Sequence, residues 1–139
     1  MEGLDPAMAN PHLHTLRVYY EDTDFSGFTY HASYLKFFER GRTEFLRAIG
    51  IVQSDLYRDA DGLAFVVGRM AIDYVKPALM DDVLTVRTSV AELRGASMVL
   101  AQTVLRNDIC LTRADVTVAA VRRGRPVRLP EALRTALTV

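Results

Sequence analysis

The sequence predicts an α+β domain: a five-stranded antiparallel sheet wrapped around one long central helix. Three observations carry this. Residues 32–49 place Tyr34, Phe37, Phe38, Gly41, Phe45 and Ile49 at spacings of three and four, one broad apolar stripe of a single long helix. From residue 63 onward the chain is almost entirely strand-like, rich in β-branched residues and punctuated by short turn signals. The helix must bury its stripe against something large, and the sheet is the only surface available.

In chain order, residues 1–12, with Pro6 and Pro11 and little periodicity, read as a flexible leader. Residues 13–130 form the domain and 131–139 a C-terminal tail. Residues 14–20 alternate, with Leu16, Val18 and Tyr20 on one face of a first strand. Residues 24–29 form a turn in which Gly27 is free to take a positive φ. The helix follows and stops at Gly50. Gly41 inside it costs about 1 kcal/mol relative to alanine, which close approach of the helix backbone to the sheet would offset. A short second helix is expected near 54–57. Strands then follow at 63–75, 83–93, 97–106 and 109–121. Turns at Pro77 to Asp82, Arg94-Gly95-Ala96 and Asn107-Asp108 predict three successive hairpins, an antiparallel meander.

The chain has 139 residues, half of them hydrophobic, enough for one domain with a substantial core. Seventeen basic residues balance seventeen acidic ones, so no field recruits nucleic acid. No apolar run is long enough for a transmembrane helix, and no signal peptide is evident. Cys110, the single cysteine, rules out an intramolecular disulfide and fits a reducing cytoplasm. Its neighbours Ile109 and Leu111 mark it as a small core hydrophobe. No residue set has metal-ligand spacing, and there is neither a Gly-rich phosphate loop nor a Gly-x-Ser-x-Gly elbow.

The chemistry concentrates in Tyr19-Tyr20-Glu21-Asp22-Thr23-Asp24 and in His31, at the mouth of the helix. A carboxylate, an imidazole and a helix N-terminus in one place can attack an acyl carbonyl. Asp24 serves as nucleophile or base, and backbone N–H groups receive the oxyanion. Alone, an Asp in such a turn is a capping residue and a His there a helix-start residue.

The whole run 19–37, Tyr-Tyr-Glu-Asp-Thr-Asp-Phe-Ser-Gly-Phe-Thr-Tyr-His-Ala-Ser-Tyr-Leu-Lys-Phe, resembles the signature of hotdog-fold acyl-CoA thioesterases. It is most similar to the YbgC and 4-hydroxybenzoyl-CoA thioesterase family. The resemblance covers residues 13–130 and implies a hotdog fold and a cytoplasmic acyl-CoA thioester hydrolase that releases CoA and a free acid. It implies Asp24 as the catalytic carboxylate, with Asp22 a lesser partner, and His31 as assistant through its side chain or backbone N–H. Tyr20 matches a tyrosine lining the active site; Tyr30 is a weaker candidate. No metal or redox cofactor is implied, since the CoA thioester is substrate.

The resemblance further implies a homodimer that joins two sheets and assembles to a homotetramer, a site at the subunit interface, and association with the Tol-Pal envelope system. Arg122, Arg123 and Arg125, with Arg128, are candidates for the CoA phosphates, against the plain reading of a solvated turn. The departure from the family lies between Asp24 and His31. Members carry small and β-branched residues there, whereas this chain has Phe25-Ser26-Gly27-Phe28-Thr29, and both Phe side chains are expected to narrow the acyl pocket. Glu39 reads as one half of an ion pair with Arg40 or Arg42, although some hotdog thioesterases use a helix Glu as catalyst. Three alternatives stand beside the main reading: an aromatic acyl-CoA or acyl carrier protein thioesterase, a hotdog dehydratase, and a non-catalytic acyl-CoA-binding scaffold at the cell envelope. The dehydratase lacks support, because no Pro follows closely after His31.

Overall fold

The computed structural model describes residues 10–137. Its elements are β1 (His12–Arg17), a 3-10 turn (Tyr20–Asp22), α1 (Ser33–Ala48), α2 (Gln53–Asp59), β2 (Ala64–Tyr74), β3 (Val83–Leu93), β4 (Ser97–Arg106), β5 (Ile109–Arg122), β6 (Arg125–Pro126) and α3 (Glu131–Leu137). The five long strands form one antiparallel sheet in the order β1-β3-β4-β5-β2, with β6 paired to β5.

The predicted helix stripe is the core. Tyr34, Phe37, Phe38, Gly41 and Phe45 are buried against Leu84 and Val86 of β3, Met98, Leu100 and Val104 of β4, and Val116 and Val118 of β5. Those strand residues alternate with outward-facing ones, so one face of the sheet is apolar. Gly41 has the compensation expected of it. A Cβ there would meet Val86 Cγ1 at 2.5 Å, so only glycine lets the helix lie this close. At the same crossing Gln102, 1 % exposed, donates from Nε2 to Phe38 C=O and Thr88 Oγ1, both at 2.9 Å, and accepts from Arg42 Nη1 at 3.1 Å.

The meander is corrected at one of its three turns. β3–β4 and β4–β5 are hairpins, but β2 pairs with β5, from Ala64 opposite Val121 to Tyr74 opposite Thr112. The segment between Tyr74 and Val83 pairs with the loop before α1 instead: Thr29 N–H donates to Ala78 C=O at 2.8 Å and Phe28 bridges Leu79. β2 is thereby left as an edge strand.

The predicted first strand also ends early. After Arg17 the Asp22 carboxylate accepts the Tyr19 N–H at 2.9 Å and folds the chain into the 3-10 turn, a local side-chain bond that displaces the ladder. Of the predicted leader, His12 already belongs to β1, and residues 1–9 lie outside the described residues. The segment read as a tail carries α3, whose Leu133 and Leu137 are buried in the core; residues 138 and 139 lie outside the described residues.

Candidate active site

Two irregular segments build the site. In the first, Asp24 C=O accepts Gly27 N–H at 3.1 Å and Asp24 N–H donates to Phe28 C=O at 3.0 Å, closing a tight turn with Gly27 at φ 88°. In the second, Val75 and Lys76 N–H groups both donate to Leu111 C=O, at 2.8 and 3.0 Å, and Pro77 takes the chain out of the sheet. Between them lies an open groove of about 390 Å³ lined by Asp24, Phe28, His31, Tyr34, Tyr74 and Lys76, among others.

Asp24 is exposed, and its carboxylate accepts from the Ser26 hydroxyl and, at 2.8 Å, from the Ser26 N–H. These bonds, the hydroxyl's foremost, hold its pKa below the ordinary carboxylate value, with a smaller contribution from the nearby His31 imidazole. The carboxylate is therefore ionised throughout the neutral range.

His31 stands two residues before α1. Its carbonyl accepts the Tyr74 hydroxyl at 2.8 Å, and its ring packs on Tyr30 and Tyr74 with centroids 4.6 and 6.3 Å away. Burial, and then the neighbouring Tyr34, raise the Tyr74 pKa, so that phenol stays a donor and fixes the His31 backbone. The N–H groups of His31 and Ala32 have no acceptor among the described residues. They precede the first turn of a 16-residue helix, where the macrodipole favours negative charge. Asp24 and His31 thus line one groove, with spare N–H donors and a helix N-terminus beside it, an arrangement suited to attack on a carbonyl carbon.

The structure brings Asp24 and His31 together and leaves other candidates apart. Tyr20 lies in the 3-10 turn, 79 % exposed and outside the groove lining. Phe25 projects from the turn tip, fully exposed, so of the two phenylalanines expected to narrow the pocket only Phe28 lines it. Asp22 is buried and structural, bonded to Tyr19. Glu39 makes no salt bridge among the described residues; its charge favours that of the nearby Arg42, whose guanidinium donates to Gln102. Arg122 donates to Ala60 C=O at 3.1 Å, Arg123 pairs with Asp61 at 3.1 Å, and Arg125 is exposed. This cluster sits at the Ala64 end of β2 and the groove at its Tyr74 end, so within one protomer they are about 30 Å apart at ~3.3 Å per residue. Tyr34 and Tyr74 are the groove residues that the sequence reading missed. Both scan as ordinary apolar-face positions; only the position of Tyr34 at the head of the helix stripe, one turn past His31, hinted at more.

The thioesterase-like superfamily model matches residues 18–137. The chain is 47 % identical over 123 residues to the acyl-CoA thioesterase YbgC of Haemophilus influenzae, covering 87 % of this chain and 90 % of the relative. It is 41 % identical over 121 residues to the acyl-CoA thioester hydrolase YbgC of Escherichia coli O6:H1, covering 85 % and 89 %. Among solved structures, a probable thioesterase from Bartonella henselae superposes with a TM-score of 0.85 at 43 % identity, over 87 % of this chain and 100 % of the other. The chain belongs to the thioesterase-like superfamily, within its hotdog-fold YbgC family of thioester hydrolases.

Proposed function

We propose that this chain hydrolyses acyl-CoA thioesters in the Asp24 groove. The observation that carries the reading is that Asp24, an ionised carboxylate, and His31 line one groove beside unsatisfied N–H donors at the head of α1. The thioester oxygen lies against the His31 N–H at the head of α1, which stabilises it as negative charge develops. Asp24 attacks the carbonyl carbon, giving a mixed anhydride that water then hydrolyses to the free acid, or takes a proton from the water that attacks directly. The His31 imidazole orients the carbonyl or the water. CoA leaves as a thiolate, and the acidity of thiols, near pKa 8.5, removes the need for a strong general acid. These steps run on the chain's own groups.

The working unit proposed is a two-fold dimer through β2. This strand is 11 residues long, unpaired on one side, with Val66 and Val67 44 % and 45 % exposed. Such an edge favours pairing with another copy. An antiparallel β2–β2 pair sets the Ala64 end of one strand beside the Tyr74 end of the other. The distant arginine turn of one copy then stands beside the groove of its partner, where it meets the CoA phosphates. A second cavity of about 370 Å³, lined by Glu39, Arg42, Phe65, Val67, Met98 and Leu100, opens beside the same strand and offers room for the acyl chain.

The test is CoA release from a panel of short, long and aromatic acyl-CoAs by wild type and Asp24→Asn. Turnover of at least one substrate, reduced a thousandfold or more by the substitution, is expected. Turnover indifferent to Asp24 overturns the reading.

A further inference from the structure

The groove wall holds two hydroxyls with hydrogen-bonding capacity that the protein leaves unused. Thr29 lines the groove at 6 % exposure, and its Oγ1 has no partner among the described residues. Tyr34 lines it at 2 % exposure. Its phenol oxygen accepts the Ala78 N–H at 3.1 Å, while its own O–H donates to no acceptor among the described residues. One residue ties the two together: Thr29 N–H donates to Ala78 C=O at 2.8 Å, and Ala78 N–H donates to Tyr34.

A buried hydroxyl without a partner is unfavourable, and valine has nearly the same shape. Thr112 Oγ1 is equally unpartnered, but only Thr29 has the groove alongside to supply a partner, so its hydroxyl has a use there. The acceptor capacity of Tyr34 that Ala78 occupies is already used, so what remains is a donor; the Thr29 hydroxyl is free to donate as well. Two donors tied to one residue suit one acceptor oxygen, and an oxyanion, with three lone pairs, takes both beside a backbone N–H. In a groove that takes thioesters, that acceptor is the carbonyl oxygen.

We propose that the hydroxyls of Thr29 and Tyr34 are catalytic hydrogen-bond donors to the thioester oxygen, completing with one backbone N–H at the head of α1 the three bonds an oxyanion accepts. The proposal rests on the thioesterase reading of the groove. Both residues line the groove, with the Thr29 oxygen itself buried. Thr29 brings its oxygen to a ligand by rotating about χ1, and Tyr34 by rotating its O–H. The N–H that Tyr34 accepts from Ala78 polarises the phenol and strengthens it as a donor. These bonds tighten as the carbonyl becomes an oxyanion, so their loss falls on kcat rather than on KM.

The test compares wild type with Thr29→Val, Thr29→Ser and Tyr34→Phe, reading kcat, KM and Tm for each and assaying well below every Tm. Thr29→Val is expected to raise Tm by about 2–4 °C while lowering kcat about tenfold. Tyr34→Phe is expected to lower kcat about 10–100-fold, with KM within about threefold in both variants. Thr29→Ser, which keeps the hydroxyl, returns kcat toward wild type. In the Asp24→Asn background, the carbonyl stretch of a bound acyl-CoA is expected to rise in frequency when either hydroxyl is removed. An unchanged kcat with a raised Tm in Thr29→Val, or a carbonyl band indifferent to both substitutions, overturns the proposal. If Asp24→Asn is inactive while Thr29→Val and Tyr34→Phe turn over like wild type, only this proposal falls. If Asp24→Asn retains full turnover, the reading of the groove falls with it.

Discussion

Around Gly41 the polar groups are paired and the apolar ones interlock. Gln102 bonds a helix carbonyl, Thr88 and Arg42, while Phe37, Phe38 and Val86 are fully buried. Around Asp24 the same chain is irregular. The carboxylate is exposed, two N–H groups and one buried hydroxyl have no partner among the described residues, and a fully exposed Phe25 caps the turn. Both regions touch α1, one at its middle and one at its head. The middle binds the protein to itself; the head keeps its bonding capacity for something else. Stability and chemistry are thus separated along one helix, and a substitution should disturb one with little effect on the other.

The largest break should come in the core. Phe38→Ala, at a fully buried site, is expected to cost about 3–5 kcal/mol in chemical denaturation. Gly41→Ala is a sharper probe, because helix propensity alone predicts a gain of about 1 kcal/mol. The 2.5 Å approach of its Cβ to Val86 predicts an overpacking cost of about 1–3 kcal/mol, so a net loss is expected. A gain would show that the helix can lift off the sheet. Val67→Lys on the exposed edge of β2 should leave monomer stability within about 0.5 kcal/mol while converting the proposed dimer to monomer in light scattering.

The smallest effect belongs to the groove. Ser26→Ala removes the leading bond that lowers the Asp24 pKa. The form that works is the carboxylate, present above its pKa and lost as pH falls through it. The acid limb of kcat/KM should therefore move to higher pH, with the plateau unchanged.

How much of this was legible in the sequence follows the same division. The stripe from Tyr34 to Phe45 recurs with the helical period, so the helix was placed to within a residue at each end, and Gly41 was recognised as a point of close approach. Strands β3, β4 and β5 announced themselves by alternation and by their turns. The partner of β2 did not. Pro77 and Asp81-Asp82 look like a local hairpin, and nothing periodic reports that residues 78–79 pair with residues 28–29 instead. In the site, Asp24 and His31 were legible because they belong to a contiguous motif. Tyr20 entered the site through the family resemblance, and its strand face through alternation extended past Arg17, where the Asp22 carboxylate ends the strand. The arginines were grouped correctly with one another, but their separation from the groove depends on sheet register, which side-chain pattern does not encode. Tyr34 was read as core, which it is; that its oxygen also accepts the Ala78 N–H depends on a tertiary contact that no sequence pattern reports.

The most direct test of the division is Asp24→Asn, measured for thermal stability and for CoA release on the best acyl-CoA substrate. The expected result is a Tm within about 2 °C of wild type, as for a substitution at an exposed position, with kcat reduced a thousandfold or more. A large fall in Tm, or turnover that survives, would contradict the assignment of chemistry to the head of α1.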